Sequence, residues 1–520
     1  MSHASDRDQQ SADSAKVIAA EAAAAAEPIA ASTPAPAKPV QLDARAIRGI
    51  VFGVMLAMFL SALDQTIVAT ALPAIGRELN DLANLSWVVT AYLIAATAVT
   101  PLYGKLADIY GRRSAIIAGV LIFVGGSIAC ALARSMPMLI LARAIEGLGG
   151  GGLIALSQTV IADIITPKER ARYQAHFGAV FASANVIGAI FGGYAAQYWH
   201  WSLIFWINVP LGAAALAMTY RTLALLPHRH RRHRLDILGA LLMTGATVML
   251  LLGLTWGGTK FPWASAETIA FFVASAGLWF AFGARIVVAP EPFLPLSILR
   301  TGVVRNAILS AGCAMGALIG LSIYVPIYLQ GVLDLSPSHS GLALMPLLGG
   351  AVIGATTSGR RMARVRHYKR MPLVGLSCGT LALTVLAIFP EPPVALLFAL
   401  LLTVGIGCGS SFPVSTVALQ NAVHPHQLGT ATAALNFARQ LSGAILVAGF
   451  GAILLAGMGF GSGEGRIAEL VARHAASAAA MSSAFRFVFA AAAIALAGGL
   501  AFLYAMEERP LRERPLGESG

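Results

Sequence analysis

Fourteen runs of about twenty apolar residues follow one another between residues 49 and 505, each long enough to cross the hydrocarbon core of a bilayer as a helix. They lie at 49–72, 87–104, 114–133, 137–161, 173–196, 202–220, 236–255, 267–288, 304–329, 341–359, 371–389, 394–416, 429–456 and 481–505. No soluble fold covers so much apolar surface. The chain is 57% hydrophobic before glycine is counted and only 12% charged, against roughly 45–50% apolar with glycine and about 25% charged for soluble domains. The expectation is an all-α membrane protein of about fourteen transmembrane helices.

The placement of positive charge sets its orientation. With the N-terminus inside, 28 of the 36 Lys and Arg residues fall in inside segments, five fall outside, and three (Arg143, Arg439 and Arg486) lie within spans. Basic residues collect in cytosolic loops, so the pattern predicts an even number of spans with both termini cytoplasmic. The same pattern accounts for the net charge of +12 without a nucleic-acid partner. Cys130, Cys313, Cys378 and Cys408 each sit in an apolar run and form no CxxC or Cys/His cluster, so they are expected as small buried hydrophobes.

Residues 1–47 are rich in Ala, Ser and Pro, the composition of a disordered cytosolic tail. No apolar core with a cleavage site marks them as a signal peptide. "GKLADIYGRR" (Gly104–Arg113) follows the second span, and the similarly basic, Gly-led "GRRMARVRHYKR" (Gly359–Arg370) follows the tenth. This repeat predicts two six-helix bundles, at 48–222 and 301–506, separated by a basic loop and two inserted helices at 223–300, with a cytosolic tail at 507–520. Parallel halves with a binding site between them are a transporter plan.

Charged residues inside the spans are the candidates for chemistry. Asp64, in "LDQTIVATALP", costs about 2.5–3.5 kcal/mol to place at a helix centre on insertion scales. Either it handles a proton or substrate, or it pairs structurally with an Arg or a helix end. Arg143 and Glu146, in "RAIEGLGGGG", are spaced i, i+3 and share a helix face. They neutralise each other, or Arg143 acts as a fixed charge beside a proton-binding carboxylate. Asn436, Arg439 and Gln440 put three polar groups on one face of the thirteenth span, and a solvated helix end is the alternative. Tyr92, Gln158, Asn185 and Trp206 are candidate cavity-lining residues. Asn208 is expected to cap or stabilise a kink beside Pro210. Gly188, Gly192 and Gly193, in "GAIFGG", are expected to line one face for tight helix crossing. The glycines at 149–152 are followed by no Lys-Ser or Lys-Thr pair, and no GxxxxGK[ST] occurs in the chain, so ATP is not the expected energy source. His228, His230 and His233 alternate with arginines in a basic loop, the pattern of a solvated face; no metal site is expected.

Together these motifs resemble the major facilitator superfamily, and most of all its fourteen-helix branch of drug:proton antiporters. "LDQTIVATALP" is similar to that branch's first-helix signature, "GKLADIYGRR" to its loop motif, and "RAIEGLGGGG" to its fourth-helix motif. "WHWSLIFWINVPLG", "YVPIYLQGVLDLSPSHSGLALMPL" and "NFARQLSG" are similar to further segments of it, and the likeness runs from about residue 45 to 505. The resemblance implies two bundles rocking about a central cavity. Gly104, Asp108, Arg112 and Arg113 would form a cytosolic latch, and Asp64, Glu146 and Arg143 would serve proton coupling or substrate recognition. Three positions depart from the pattern: Ala189 stands in place of the motif proline, Glu146 in place of a common glutamine, and Ala363 where the second loop would carry a matching acid.

The implied function is a secondary active transporter that exports hydrophobic, in some cases cationic, drugs or toxic compounds in exchange for protons. It would need no cofactor, and its partners would be small lipophilic substrates and the lipid bilayer, with an outer-membrane efflux assembly as a further candidate. The implied location is a multi-pass cell membrane, specifically a bacterial inner membrane. The alternative is a same-fold exporter of another cargo such as a lipid, siderophore or metabolite. A receptor lacks a soluble signalling domain here, and an enzyme lacks a His/Asp/Ser constellation, so neither is expected.

Overall fold

The computed structural model describes residues 44–511 except 82–83, 223–234, 259, 334–342, 363, 366 and 458–477. The tail at 1–43, the three loop histidines and Ala363 therefore lie outside the described residues. In chain order the helices are α1 (Ala44–Glu78), α2 (Leu85–Tyr110), α3 (Arg112–Ala131), α4 (Met136–Gly150), α5 (Leu153–Ile164), α6 (Pro167–Tyr198), α7 (Leu203–Trp206) and α8 (Asn208–Thr222). They continue as α9 (Ile237–Trp256), α10 (Ala266–Val288), α11 (Leu296–Arg300), α12 (Gly302–Val332), α13 (Met345–Met362), α14 (Arg370–Ile388), α15 (Val394–Ala422), α16 (Leu428–Gly457) and α17 (Ala478–Ala505). Helix α1 starts at Ala44, inside the stretch expected as tail.

Thirteen helical segments among the described residues are long and apolar enough to cross a membrane, and α4 and α5 together make one of them, Met136–Ile164. The remaining expected span, 341–359, the tenth in order, corresponds to α13. It has only 18 residues, Met345–Met362, and it carries Arg360 and Arg361 and several glycines, which lower its hydropathy. Its glycines serve packing: a Cβ on Gly354 would lie 2.2 Å from the Ile406 carbonyl of α15. Helix starts are chemically marked. Thr166 accepts from the Glu169 backbone N–H at 3.3 Å with Pro167 at the first turn of α6, and Asp236 accepts from Gly239 N at 3.0 Å at the start of α9.

The two halves meet in a symmetric way. The second helix of the first half, α2, packs on α16, the fifth of the second half; the second helix of the second half, α13, packs on α6, the fifth of the first. The inserted pair α9–α10 lies outside this arrangement, with α9 against α2. Asp236 binds it together, accepting from Arg285 Nε at 3.1 Å and from Phe293 N at 3.3 Å. Helix α10 is peripheral, and Phe280 on it is 81% exposed, as a lipid-facing helix must be.

Candidate functional site

Two helices of the first half bring their charges together away from water. Asp64 of α1 and Glu146 of α4 are 0% exposed and Arg143 of α4 is 1% exposed. Arg143 Nη1 donates to Asp64 Oδ2 at 2.7 Å and to Glu146 Oε2 at 2.6 Å. Its Nε donates to the Val88 carbonyl of α2 at 3.0 Å, and its guanidinium lies 4.4 Å over the Tyr92 ring. Tyr92 in turn has its hydroxyl 3.3 Å from Ser61 Oγ. The fork of the guanidinium is thus held from three directions.

Asn208, at the start of α8, completes the cluster. Its Nδ2 faces Ser127 Oγ at 3.0 Å, Asp64 Oδ1 at 3.4 Å and Glu146 Oε1 at 3.4 Å. The Cys130 thiol donates to Glu146 Oε2 at 3.4 Å. With both carboxylates ionised, two negative charges share one guanidinium, so the sealed cluster carries one negative charge in excess. An uncompensated buried charge is costly, and a single proton cancels it.

A second cluster sits at the end of the bundle that carries the basic loops, and it joins the halves. Asp108, near the end of α2, accepts from Gly429 N at 3.1 Å, Thr430 N at 2.7 Å and Thr430 Oγ1 at 2.6 Å. One carboxylate therefore caps the N-terminus of α16, where backbone N–H groups lack partners and favour a negative charge. Arg112 Nη1 donates to the same carboxylate at 2.5 Å, and its Nε donates to Asp163 Oδ2 of the first half at 2.8 Å. Backbone approach here is tight: a Cβ on Gly104 would lie 2.4 Å from Ala433 Cβ and 2.6 Å from the Gly429 carbonyl. Arg113 turns away and stacks 4.3 Å over the Tyr220 ring.

Farther along α16, Asn436 donates to Gln158 Oε1 of α5 at 2.9 Å, and Gln440 bonds Thr97 at 3.1 Å and Thr100 at 3.3 Å on α2. The polar trio of α16 is thus no solvated helix end, because Asn436 and Gln440 cross the seam between halves. Arg439 turns instead to α15 in its own half, donating from Nη2 to the Phe412 carbonyl at 3.1 Å and to Thr416 Oγ1 at 2.9 Å.

The other candidates divide. Tyr92 belongs to the charged cluster, Gln158 to the seam, and Asn185 is half-buried on α6. Trp206 is 40% exposed at the end of α7. A Cβ on Gly188 or Gly192 would strike α1, at 2.2 Å from Thr66 Oγ1 and 2.3 Å from Thr70 Oγ1. Gly193 meets nothing within 4 Å. The expectation that all three share one packing face is corrected: positions 188 and 192, four apart, do, and 193 is rotated off it. Residues that sequence reasoning missed are Ser127, Asp163 and Thr430, together with the role of Asn208. Asn208 was expected as a kink stabiliser; its place between two acids was legible only as a polar residue in an apolar run.

The chain matches the family model described as Major Facilitator Superfamily over residues 54–447. It is 33% identical over 420 residues to the multidrug transporter protein MdtP of Bacillus subtilis, covering 79% of this chain and 76% of that one. It is 32% identical over 410 residues to multidrug resistance protein 3 of Bacillus subtilis, covering 78% and 79%. To the efflux pump dotC of Dothistroma septosporum it is 34% identical over 417 residues, covering 79% and 71%. Among solved structures it is similar in fold to the proton:xylose symporter XylE, with TM-score 0.57, 15% identity and coverage of 87% and 95%. A bacterial homologue of the iron transporter ferroportin in an outward-facing state gives TM-score 0.59, 12% identity and coverage of 89% and 100%.

Proposed function

The chain belongs to the Major Facilitator Superfamily, and on that premise we propose that it is a secondary active exporter that moves lipophilic compounds out of the cell in exchange for protons. The observation that carries this reading is that two buried carboxylates, Asp64 and Glu146, share the single guanidinium of Arg143. Arginine holds its proton, so the cluster changes charge by gaining or losing a proton on its carboxylates, and the pair shares that proton as one unit. The names of the multidrug transporters and efflux pumps it resembles support the cargo class and the direction.

Two helices connect this proton site to the seam. Helix α2 carries Val88 and Tyr92 at the cluster and Thr97, Thr100, Gly104 and Asp108 at the seam. The α4–α5 span carries Arg143 and Glu146 at one end, and Gln158 and Asp163 toward the other. Asp163 lies seventeen positions beyond Glu146 along this nearly continuous span, about 25 Å at the helical rise. A shift of either helix on protonation therefore bears directly on the contacts that hold the halves together. With the basic loops and both termini in the cytosol, these contacts close the cytosolic end, and the reverse state breaks them.

The test is transport in everted membrane vesicles containing the chain. An imposed acid-inside gradient drives accumulation of a lipophilic fluorescent dye, and collapsing the gradient with a protonophore releases it. Vesicles that accumulate no more dye with the gradient than without it refute proton-driven export. Labelling of a cysteine placed at Arg364 by an impermeant reagent checks the orientation. It reacts in everted vesicles and stays protected in intact cells; the opposite pattern reverses the topology.

A further inference from the structure

Arg439 presents a charge that no carboxylate among the described residues balances. Its side chain is 7% exposed. Two contacts hold it, from Nη2 to the Phe412 carbonyl and to Thr416 Oγ1, and both acceptors are neutral. Its Nε is buried and makes no hydrogen bond. No carboxylate among the described residues pairs with it. The side chain on the residue before Thr416, Ser415, also has a buried oxygen with no hydrogen-bond partner. A guanidinium cannot lose its proton, and ionisable groups in spans mark substrate and ion pathways.

Its position says which pathway. The residues flanking it on α16, Asn436 and Gln440, bond across the seam to Gln158, Thr97 and Thr100. The guanidinium therefore lies beside the junction of the two bundles, where transporters of two halves bind their cargo near the membrane midplane. The half-buried Phe412 ring lies 5.4 Å from it, offering an apolar face next to a fork of donors. That combination fits a lipophilic molecule carrying a carboxylate or sulfonate, since arginine takes such groups with paired N–H donors.

We propose that Arg439 is an anion-recognising subsite at the seam between the halves, and that the cargo class of this exporter accordingly includes lipophilic acids. This rests on the export reading above and narrows it, because neither carboxylate of the first-half cluster could serve an acid in this way. The recognised chemistry is an anionic headgroup, which a free acid and an anionic lipid share, and the experiment separates these two sources.

The full chain is reconstituted in proteoliposomes of neutral lipid, with Arg439→Gln and Arg439→Lys alongside. The probes are dansyl-labelled alkyl chains that end in a carboxylate, its methyl ester, or a trimethylammonium group. Wild type transports the carboxylate probe; Arg439→Gln loses about tenfold or more of that transport and keeps the ester, and Arg439→Lys restores part of it. Binding of the same probes to purified protein in neutral detergent, read from dansyl fluorescence, follows the same order. Inhibition of both by phosphatidylglycerol, absent with phosphatidylcholine, would instead assign the site to a lipid headgroup and overturn the cargo proposal. Equal effects of Arg439→Gln on all three probes also overturn it, whether transport of all is lost or kept. If wild type moves the ester and ammonium probes but neither binds nor moves the carboxylate, the subsite fails while export stands. If it moves none of them, export itself fails.

Discussion

Among the described residues, each half of the molecule buries one arginine within a membrane-spanning helix, and the two are treated in opposite ways. Arg143 is clamped between Asp64 and Glu146, tied to the Val88 carbonyl and covered by Tyr92. Arg439 has two neutral acceptors and a phenyl ring. With both carboxylates ionised the first site carries one negative charge too many, and the second has no carboxylate partner among the described residues. A proton answers the first imbalance; only an anion brought from elsewhere answers the second. Two bundles that pack on each other by the same rule, second helix on fifth, thus differ in the ion each is proposed to bind.

The largest expected effect is from Arg143→Met. It strands two carboxylates in a sealed site, and removing one partner of a buried ion pair destabilises by about 3–5 kcal/mol. Thermal unfolding in detergent should shift strongly downward. Combining it with Asp64→Asn and Glu146→Gln removes the stranded charge and should recover much of the loss without restoring transport. An Arg143→Met protein as stable as wild type would break the comparison, because the first-half arginine would then be as dispensable as the second.

Next in size are the carboxylates taken singly. If Asp64 carries the coupled proton, Asp64→Asn abolishes uphill efflux of every cargo, neutral ones included. If it only recognises cations, the variant loses cationic cargo alone. Glu146→Gln, run in parallel at matched abundance, decides which acid matters, and loss in both identifies a shared proton. Full uphill efflux of both cargo types by Asp64→Asn leaves Asp64 a structural partner of Arg143.

Asp108→Asn is expected to be milder. The carboxylate accepts from Gly429 N, Thr430 N, Thr430 Oγ1 and Arg112. An amide keeps the shape, loses the charge and places an NH2 where an acceptor is needed. A charged hydrogen bond contributes about 1.5–3 kcal/mol, enough to move a two-state population by tenfold or more. Spin labels on Tyr110 and His426, one in each half, should report a longer distance in the variant, together with slower transport. An unchanged distance distribution and wild-type rates would refute the latch.

The extent to which these sites were readable in the sequence follows from what kind of contact each one is. Spans are local and depend on runs of apolar residues, so they emerge directly; α13 emerges among them, at 341–359, although Arg360 and Arg361 lower its hydropathy. Asp64, Arg143 and Glu146 were visible because a charge in a span is conspicuous wherever it points. Their partners were not. Asn208 and Ser127 are ordinary polar residues until the fold sets them against two acids, and Asp163 and Thr430 acquire a role only from Arg112 and Asp108, the latter across the seam. The bareness of Arg439 was equally hidden, since a sequence shows an arginine but not whether an acid faces it. Gly193 shows the limit of motif reading, as it sits in the glycine run and yet a Cβ there would meet nothing within 4 Å.

The smallest expected effect is also the sharpest test of the comparison: Arg439→Met in the absence of any cargo. Its counterpart in the first half leaves two orphaned acids, whereas this change leaves none. What it removes is a buried, unpaired guanidinium whose Nε has no acceptor, and what it forfeits is two bonds from Nη2 and the contact with Phe412. The Phe412 carbonyl belongs to a helix and the Thr416 hydroxyl also donates to that same carbonyl at 2.8 Å, so neither acceptor is abandoned. Methionine fills similar space with a flexible apolar chain. Replacing buried charge by a hydrophobic side chain of comparable volume is often neutral or stabilising. Thermal unfolding should therefore be unchanged or slightly raised in Arg439→Met, while Arg143→Met falls well below wild type in the same assay. Equal losses in the two variants would mean that Arg439 is as structurally committed as Arg143, and the difference drawn between the two halves would fall.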